Sequence, residues 1–134
     1  MVNYVKVKRD IHVGQNPGER YVARLVRNTD VSLDTLAESI ANSTTITYAD
    51  VIATLKALEI EISKAILNGS AVKLGYLGSF SPAIRAKSQL DVDQVDANTI
   101  THFTCRFLPS VSFKRILAKV KYQEADLEVK GMVE

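Results

Sequence analysis

Apolar and polar residues alternate with period two in two stretches near the start of the chain, Tyr4-Val-Lys-Val-Lys8 and Tyr21–Arg27. Successive side chains of a strand point to opposite faces, so both stretches predict strands. Gly14-Gln-Asn-Pro-Gly18 between them predicts a hairpin loop. The period then changes. From Leu33 to Ala41 apolar residues recur at three and four, which predicts a helix with Ser32 as its N-cap. Asn42-Ser-Thr-Thr45 breaks it, because short polar side chains compete for backbone hydrogen bonds. Thr47 caps a longer helix, with Asp50 completing a variant capping box. Val51, Ile52, Leu55, Leu58, Ile62 and Ile66 form its apolar face. A stripe that wide is buried on more than one side, and a subunit partner is the expected second side.

The stretch Ile66-Leu-Asn-Gly-Ser-Ala-Val-Lys-Leu-Gly-Tyr-Leu-Gly-Ser-Phe80 follows. The helix is expected to stop at Asn68-Gly69, a short strand to run from Ala71 to Leu74, and Gly75-Tyr-Leu-Gly78 to turn into a second strand at Ser79. That strand continues to Lys87. A polar loop leads to a returning strand, Ile100–Leu108. Pro109-Ser110 ends it and sets up a final helix, with Val111, Phe113, Ile116, Leu117 and Val120 apolar and Lys114, Arg115 and Lys119 polar. The tail from Gln123 to Glu134 is acidic and expected to fray. No internal repeat is visible.

Helix, tight stop, strand, Gly-x-x-Gly-x-Phe turn, strand is a specific order. It resembles the body of the HU / integration host factor family of bacterial histone-like DNA-binding proteins. The resemblance implies an α+β, HU-like fold over residues 30–122: two helices, a three-stranded antiparallel sheet with a β-ribbon arm, and a C-terminal helix. The hairpin of residues 1–29 precedes it and resembles extensions found in one bacterial subgroup of HU-like proteins; residues 123–134 form the tail. The resemblance also implies an intertwined homodimer that binds double-stranded DNA mainly through the backbone, as an architectural protein of the nucleoid.

Composition narrows the setting. The chain is 46% hydrophobic and 24% charged, as in ordinary globular proteins. It lacks the run of roughly 18 apolar residues that a membrane span needs. No signal-peptide pattern opens it, and its single cysteine suits a reducing compartment, so a cytoplasmic protein without a membrane partner is expected. Net charge is only +2, with pI about 8.7. Arg106 to Tyr122 carries Arg106, Lys114, Arg115, Lys119 and Lys121 and no acid. The segment before Thr29 holds Lys6, Lys8, Arg9, Arg20, Arg24 and Arg27 against Asp10 and Glu19, whereas Ser88–Thr99 holds Asp91, Asp93 and Asp96 and no base.

Alternation places Ala83, Arg85 and Lys87 on one face of the outgoing strand, opposite Phe80, Pro82 and Ile84. On the returning strand His102, Thr104 and Arg106 share a face opposite Phe103, Cys105 and Phe107. Burying the aromatic face leaves a basic one. A ribbon presenting arginine and lysine can track a duplex groove and its phosphates. Arg85, Lys87 and Arg106 on the arm are the expected DNA contacts, with Lys114, Arg115 and Lys119 on the flanking helix and Lys73 as an addition. For alternation alone, a solvated sheet face is the plainer reading.

HU-type arms carry a proline at the tip that wedges between bases. Here Gln89–Asn98 has no proline and three aspartates. Leu90, Val92 and Val95 could each act as an apolar wedge, and nothing in the sequence singles one out. Pro82 lies early in its strand, at a bulge or an edge. The aspartates lack the glycine and distal glutamate of a calcium loop. His102 and Cys105 point to opposite faces and form no metal or catalytic pair, and Cys105 reads as a small core residue. His12 stands alone. Gly75-x-x-Gly78 lacks the Gly-Lys-Ser/Thr of a phosphate loop. No constellation points to an enzyme, a cofactor or a small-molecule substrate. The rival reading is an HU fold used for protein assembly, with an acidic arm meeting a basic partner and the hairpin offering an edge strand.

Overall fold

The computed structural model describes residues 1–11, 14 and 18–125, with the backbone alone at Ile11. His12, most of the first loop and the tail from Asp126 lie outside the described residues. Strands β1 (Val2–Ile11) and β2 (Gly18–Val26) precede helices α1 (Leu33–Ser43) and α2 (Tyr48–Leu67). Strands β3 (Val72–Leu74), β4 (Gly78–Ala86) and β5 (Ile100–Pro109) follow, then helix α3 (Val111–Leu117) and strand β6 (Tyr122–Glu124). The elements form two compact units, Met1–Asp30 with Leu117–Glu134, and Val31–Ile116. Among the described residues no helix is long and apolar enough to cross a membrane.

The first unit is a three-stranded sheet in the order β2-β1-β6. Strands β1 and β2 pair antiparallel from Asn3↔Val26 to Ile11↔Gly18 without a shift, as their period-two pattern predicts. Strand β6 pairs parallel to β1, Val2↔Tyr122 to Tyr4↔Glu124. Gln123 and Glu124 were expected to fray; the open edge of β1 orders them instead. The Val2 N–H donates to Lys121 O and the Ala125 N–H to Tyr4 O, both at 2.8 Å. Val5 and Val7 are the buried pair, 2% and 9% exposed.

In the second unit the caps stand as expected. Ser32 Oγ accepts from the Thr35 N–H at 3.2 Å, and Thr47 Oγ1 from the Asp50 N–H at 3.3 Å. Helix α1 runs two residues past Ala41. There Ser43 Oγ donates to Ser39 O at 3.0 Å and Thr44 Oγ1 to Ile40 O at 2.8 Å, and these hydroxyls take over carbonyls at the helix end. Tyr48 at the start of α2 donates to Asp34 Oδ1 on α1 at 3.0 Å, which raises the Tyr48 pKa. Helix α2 stops at Asn68 because Gly69, with φ +81°, reverses the chain. The Ser70 N–H then reaches Ala65 O and the Gly69 N–H reaches Ile66 O, each at 2.9 Å.

Strands β3, β4 and β5 form an antiparallel sheet with β4 in the middle. The glycine turn before β4 has two distinct needs. Gly75 takes φ +48°, and Leu77 N–H closes on Leu74 O at 2.9 Å. Gly78 has φ +155°, and a Cβ there would lie 2.2 Å from Leu108 O. Only glycine allows β5 to pass. Ser110 joins the turn to α3: its N–H donates to Leu77 O at 3.0 Å, its hydroxyl bonds Tyr76 O, and its Oγ accepts from the Phe113 N–H at 3.0 Å.

The core of this unit is small. Ala37, Val51 and Ile66 are its buried hydrophobic residues, while Leu36, Ile46, Leu58 and Ile60 stay exposed. The wide face of α2 is therefore only partly covered within one chain.

Candidate nucleic-acid interface

Pairing decides which side chains share a face. Ser81 stands opposite Arg106, Ala83 opposite Thr104 and Arg85 opposite His102. Directly opposed residues point the same way, so these six form one surface, which alternation predicted for all of them but Ser81. Ala83, Arg85, His102, Thr104 and Arg106 line a shallow depression of about 200 Å³ along it, together with Ile84. Lys73 pairs with Ser79 on the same face of β4 as Ser81 and Arg85. The structure thus gathers Lys73, Arg106 and Arg85 along one three-stranded surface. Ser79 and Ser81 lie between them, neutral hydroxyls that a two-residue step back from Arg85 would have found.

Lys87 differs. The register shifts between Arg85 and Ala86, leaving Thr101 of β5 outside the pairing. Thr101 Oγ1 donates to Arg85 O at 3.0 Å, and Lys87 follows the end of β4, its N–H on Thr99 O at 2.9 Å. Lys87 adjoins the basic face without being fixed on it by the strand. Lys114 and Arg115 lie on α3 as expected. Lys119 does not: the helix ends at Leu117, and Val120 N–H turns back onto Leu117 O at 3.1 Å. The chain leaves the helix there to reach β6, so Lys119 and Val120 belong to a turn.

All seven predicted cations are exposed. The ion pairs among the described residues use Lys6, Lys8, Arg27 and Lys64, so these seven keep their charge unpaired.

The opposite face corrects an expectation. Phe80 and Phe107 pack at 5.1 Å between ring centroids, but Phe103 and Phe107 remain 50% and 44% exposed, and Cys105 is exposed as well. Helix α2 meets the sheet at β3 and β4 and leaves these side chains of β5 open, so within one chain this face is not a core. Pro82 lies past the end of β3, where β4 has only β5 beside it and the missing N–H costs no ladder bond.

At the far end, residues 92–94 and 97–99 form single 3-10 turns. Asp96 serves the second, its carboxylate accepting from the Asn98 N–H at 2.9 Å and its carbonyl from Thr99 Oγ1 at 2.7 Å. One of the three acids therefore shapes the loop. Leu90 is fully exposed beside Asp91 and Asp93. Among the described residues no group of three or more His, Cys, Asp or Glu side chains could hold a metal.

A family model described as "HU domain fused to wHTH, Ig, or Glycine-rich motif" matches residues 1–124. No curated protein matches the sequence. Among solved structures, the chain is similar to a candidate bacterial DNA-binding protein from Bacteroides vulgatus, with TM-score 0.67 and 11% identity over 92% of this chain. The match covers 47% of that protein's chain, and at such identity the likeness is one of fold.

Proposed function

The chain belongs to the family of HU domains fused to a wHTH, Ig or glycine-rich motif, and on that premise we propose that it binds duplex DNA as a homodimer, mainly through phosphates. One observation carries the reading: Lys73, Arg85 and Arg106 share one face of the ribbon sheet with no acid paired to any of them. Duplex DNA presents a regular array of phosphates that such a face can follow. Each contact releases a condensed counterion, so affinity falls with salt. The neighbours of these cations are mostly serine, threonine and alanine, which suits backbone contact and little base readout.

The dimer is supported by what one chain leaves uncovered. Leu58 and Ile60 on α2 and Phe103, Phe107 and Leu108 on β5 are all exposed. Burying such surface on a second copy is favourable at about 25 cal/mol per Å². The acidic tip repels phosphate, so contact belongs on the sheet and the flank, at Lys73, Arg85, Lys87, Arg106, Lys114 and Arg115. A histone-like role without sharp bending follows. The assembly reading draws its support from the exposed aromatic face and Leu90.

The test is a titration of labelled duplex DNA at several salt concentrations. Three phosphate contacts per chain, six in the dimer, predict a slope near about −5.4 in log affinity against log salt, or on the order of 1,000-fold weaker binding on going from about 50 to 200 mM. Absence of binding at low salt would overturn the proposal in favour of assembly.

A further inference from the structure

The N-terminal sheet sorts its charges by sign between its two faces. Because β1 and β2 pair without a shift from Asn3↔Val26 to Ile11↔Gly18, alternation is unbroken along both. One face carries Lys6, Lys8 and Asp10 on β1 with Glu19 and Tyr21 on β2. The other carries Val5, Val7 and Arg9 with Arg20, Val22 and Arg24. The strand acids thus fall on the first face and the strand arginines on the second.

The first face neutralises itself. Lys6 Nζ lies 3.3 Å from Glu124 Oε1, and Lys8 Nζ lies 2.9 Å from Glu19 Oε1. The second does not. Arg9 stands directly opposite Arg20, with Arg24 four residues further along β2, and none of the three joins an ion pair among the described residues. All three are exposed. Like charges placed directly opposite on a sheet are mutually repulsive. Such a pair is tolerable in water and favourable once an anion bridges it. Guanidinium is the suited group, because its planar fork meets a phosphate with two hydrogen bonds. From Arg20 to Arg24 the strand spans about 13 Å, at about 3.3 Å per residue. Val5 and Val7 on this face are buried, so what it offers to phosphate is the exposed Arg9–Arg20 pair at one end and Arg24 at the other, and not its whole length.

We propose that Arg9, Arg20 and Arg24 form a second phosphate-binding surface for duplex DNA, separate from the ribbon. This rests on the reading of the chain as a DNA-binding protein and adds a contact beyond the HU-like body. The arginines add phosphate contacts without reading bases.

The test compares four proteins on one labelled duplex across a salt series: wild type, R9A/R20A/R24A, R85A/K87A/R106A, and the control K6A/K8A. Circular dichroism and Tm establish that each is folded. R9A alone is expected to hold or slightly raise Tm without DNA, since it relieves the Arg9–Arg20 repulsion; if the triple variant misfolds, R9A and R20Q singly replace it. The expected result is roughly tenfold or greater loss of affinity for R9A/R20A/R24A at about 0.1 M salt, and a slope shallower by up to about 5.4, since the dimer loses six contacts. The control is expected to stay within about twofold. A bound wild type with an unchanged R9A/R20A/R24A slope, or an equal loss in the control, overturns this surface and leaves the ribbon reading intact. Failure of the wild type to bind at low salt overturns both.

Discussion

The N-terminal sheet and the ribbon sheet both carry many cations, yet one face of the first cancels its charges while the basic face of the second does not. On the N-terminal sheet the lysines are drawn into pairs, Lys6 with Glu124 and Lys8 with Glu19. On the ribbon sheet Lys73, Arg85 and Arg106 face water with no carboxylate beside them. In sequence, the segment before Thr29 looked as basic as the one after Cys105. Charge per segment therefore says little about charge available to a ligand. What matters is whether the pairing strand brings acids to the same face, and for Glu124 that partner comes from the far end of the chain.

The largest expected effect strikes the ribbon sheet alone. Gly78→Ala puts a Cβ against Leu108 O, where β5 passes against the backbone of β4. A loss of about 2–4 kcal/mol is expected by denaturant unfolding, with DNA binding lost as the register fails. A stability change under about 1 kcal/mol would show that the sheet is looser there.

Next in size, R85A/K87A/R106A should weaken DNA binding roughly tenfold or more at about 0.1 M salt while leaving Tm unchanged. K6A/K8A should change binding about twofold at most, because those charges are already paired. Equal losses would erase the contrast between the sheets. Smaller again is Ser110→Ala. It removes the cap on Phe113 N–H and the bond to Tyr76 O, at a cost of about 1 kcal/mol in unfolding free energy.

The smallest effect is one of pH. Glu19 raises the Lys8 pKa above 10.5, first by its hydrogen bond and then by its charge. A raised folded-state pKa gives stability that is present below the unfolded value and lost as pH rises through the folded one. Wild type should therefore lose slightly more Tm than Glu19→Gln between about pH 10 and 12. Since Lys8 is exposed, a large difference would mean that the pair does more than its geometry suggests.

Much of this was legible in the chain. The caps at Ser32 and Thr47, the stop at Gly69, the glycine turn and the faces of Arg85, His102, Thr104 and Arg106 all follow from local chemistry and period. Each involves neighbours within a few residues. The misses were all non-local. Lys119 left its helix because the chain had to reach β1, and Glu124 became ordered because β1 had an open edge. Cys105 and Phe103 read as core because alternation names an apolar face without saying whether anything covers it. Lys87 lost its fixed place through the shift between Arg85 and Ala86, which depends on how β5 returns.

Sequence by itself determined β1 to β5, the first two helices with their caps, the turns, and which residues alternate together, because backbone sterics and short-range hydrogen bonds act over one or two turns of chain. Tertiary structure alone decided which strands lie side by side. That choice sets which charges meet and cancel and which stay free, since ion pairing depends on distance in space and not on distance along the chain. The free arginines of both sheets are visible only once the register is known.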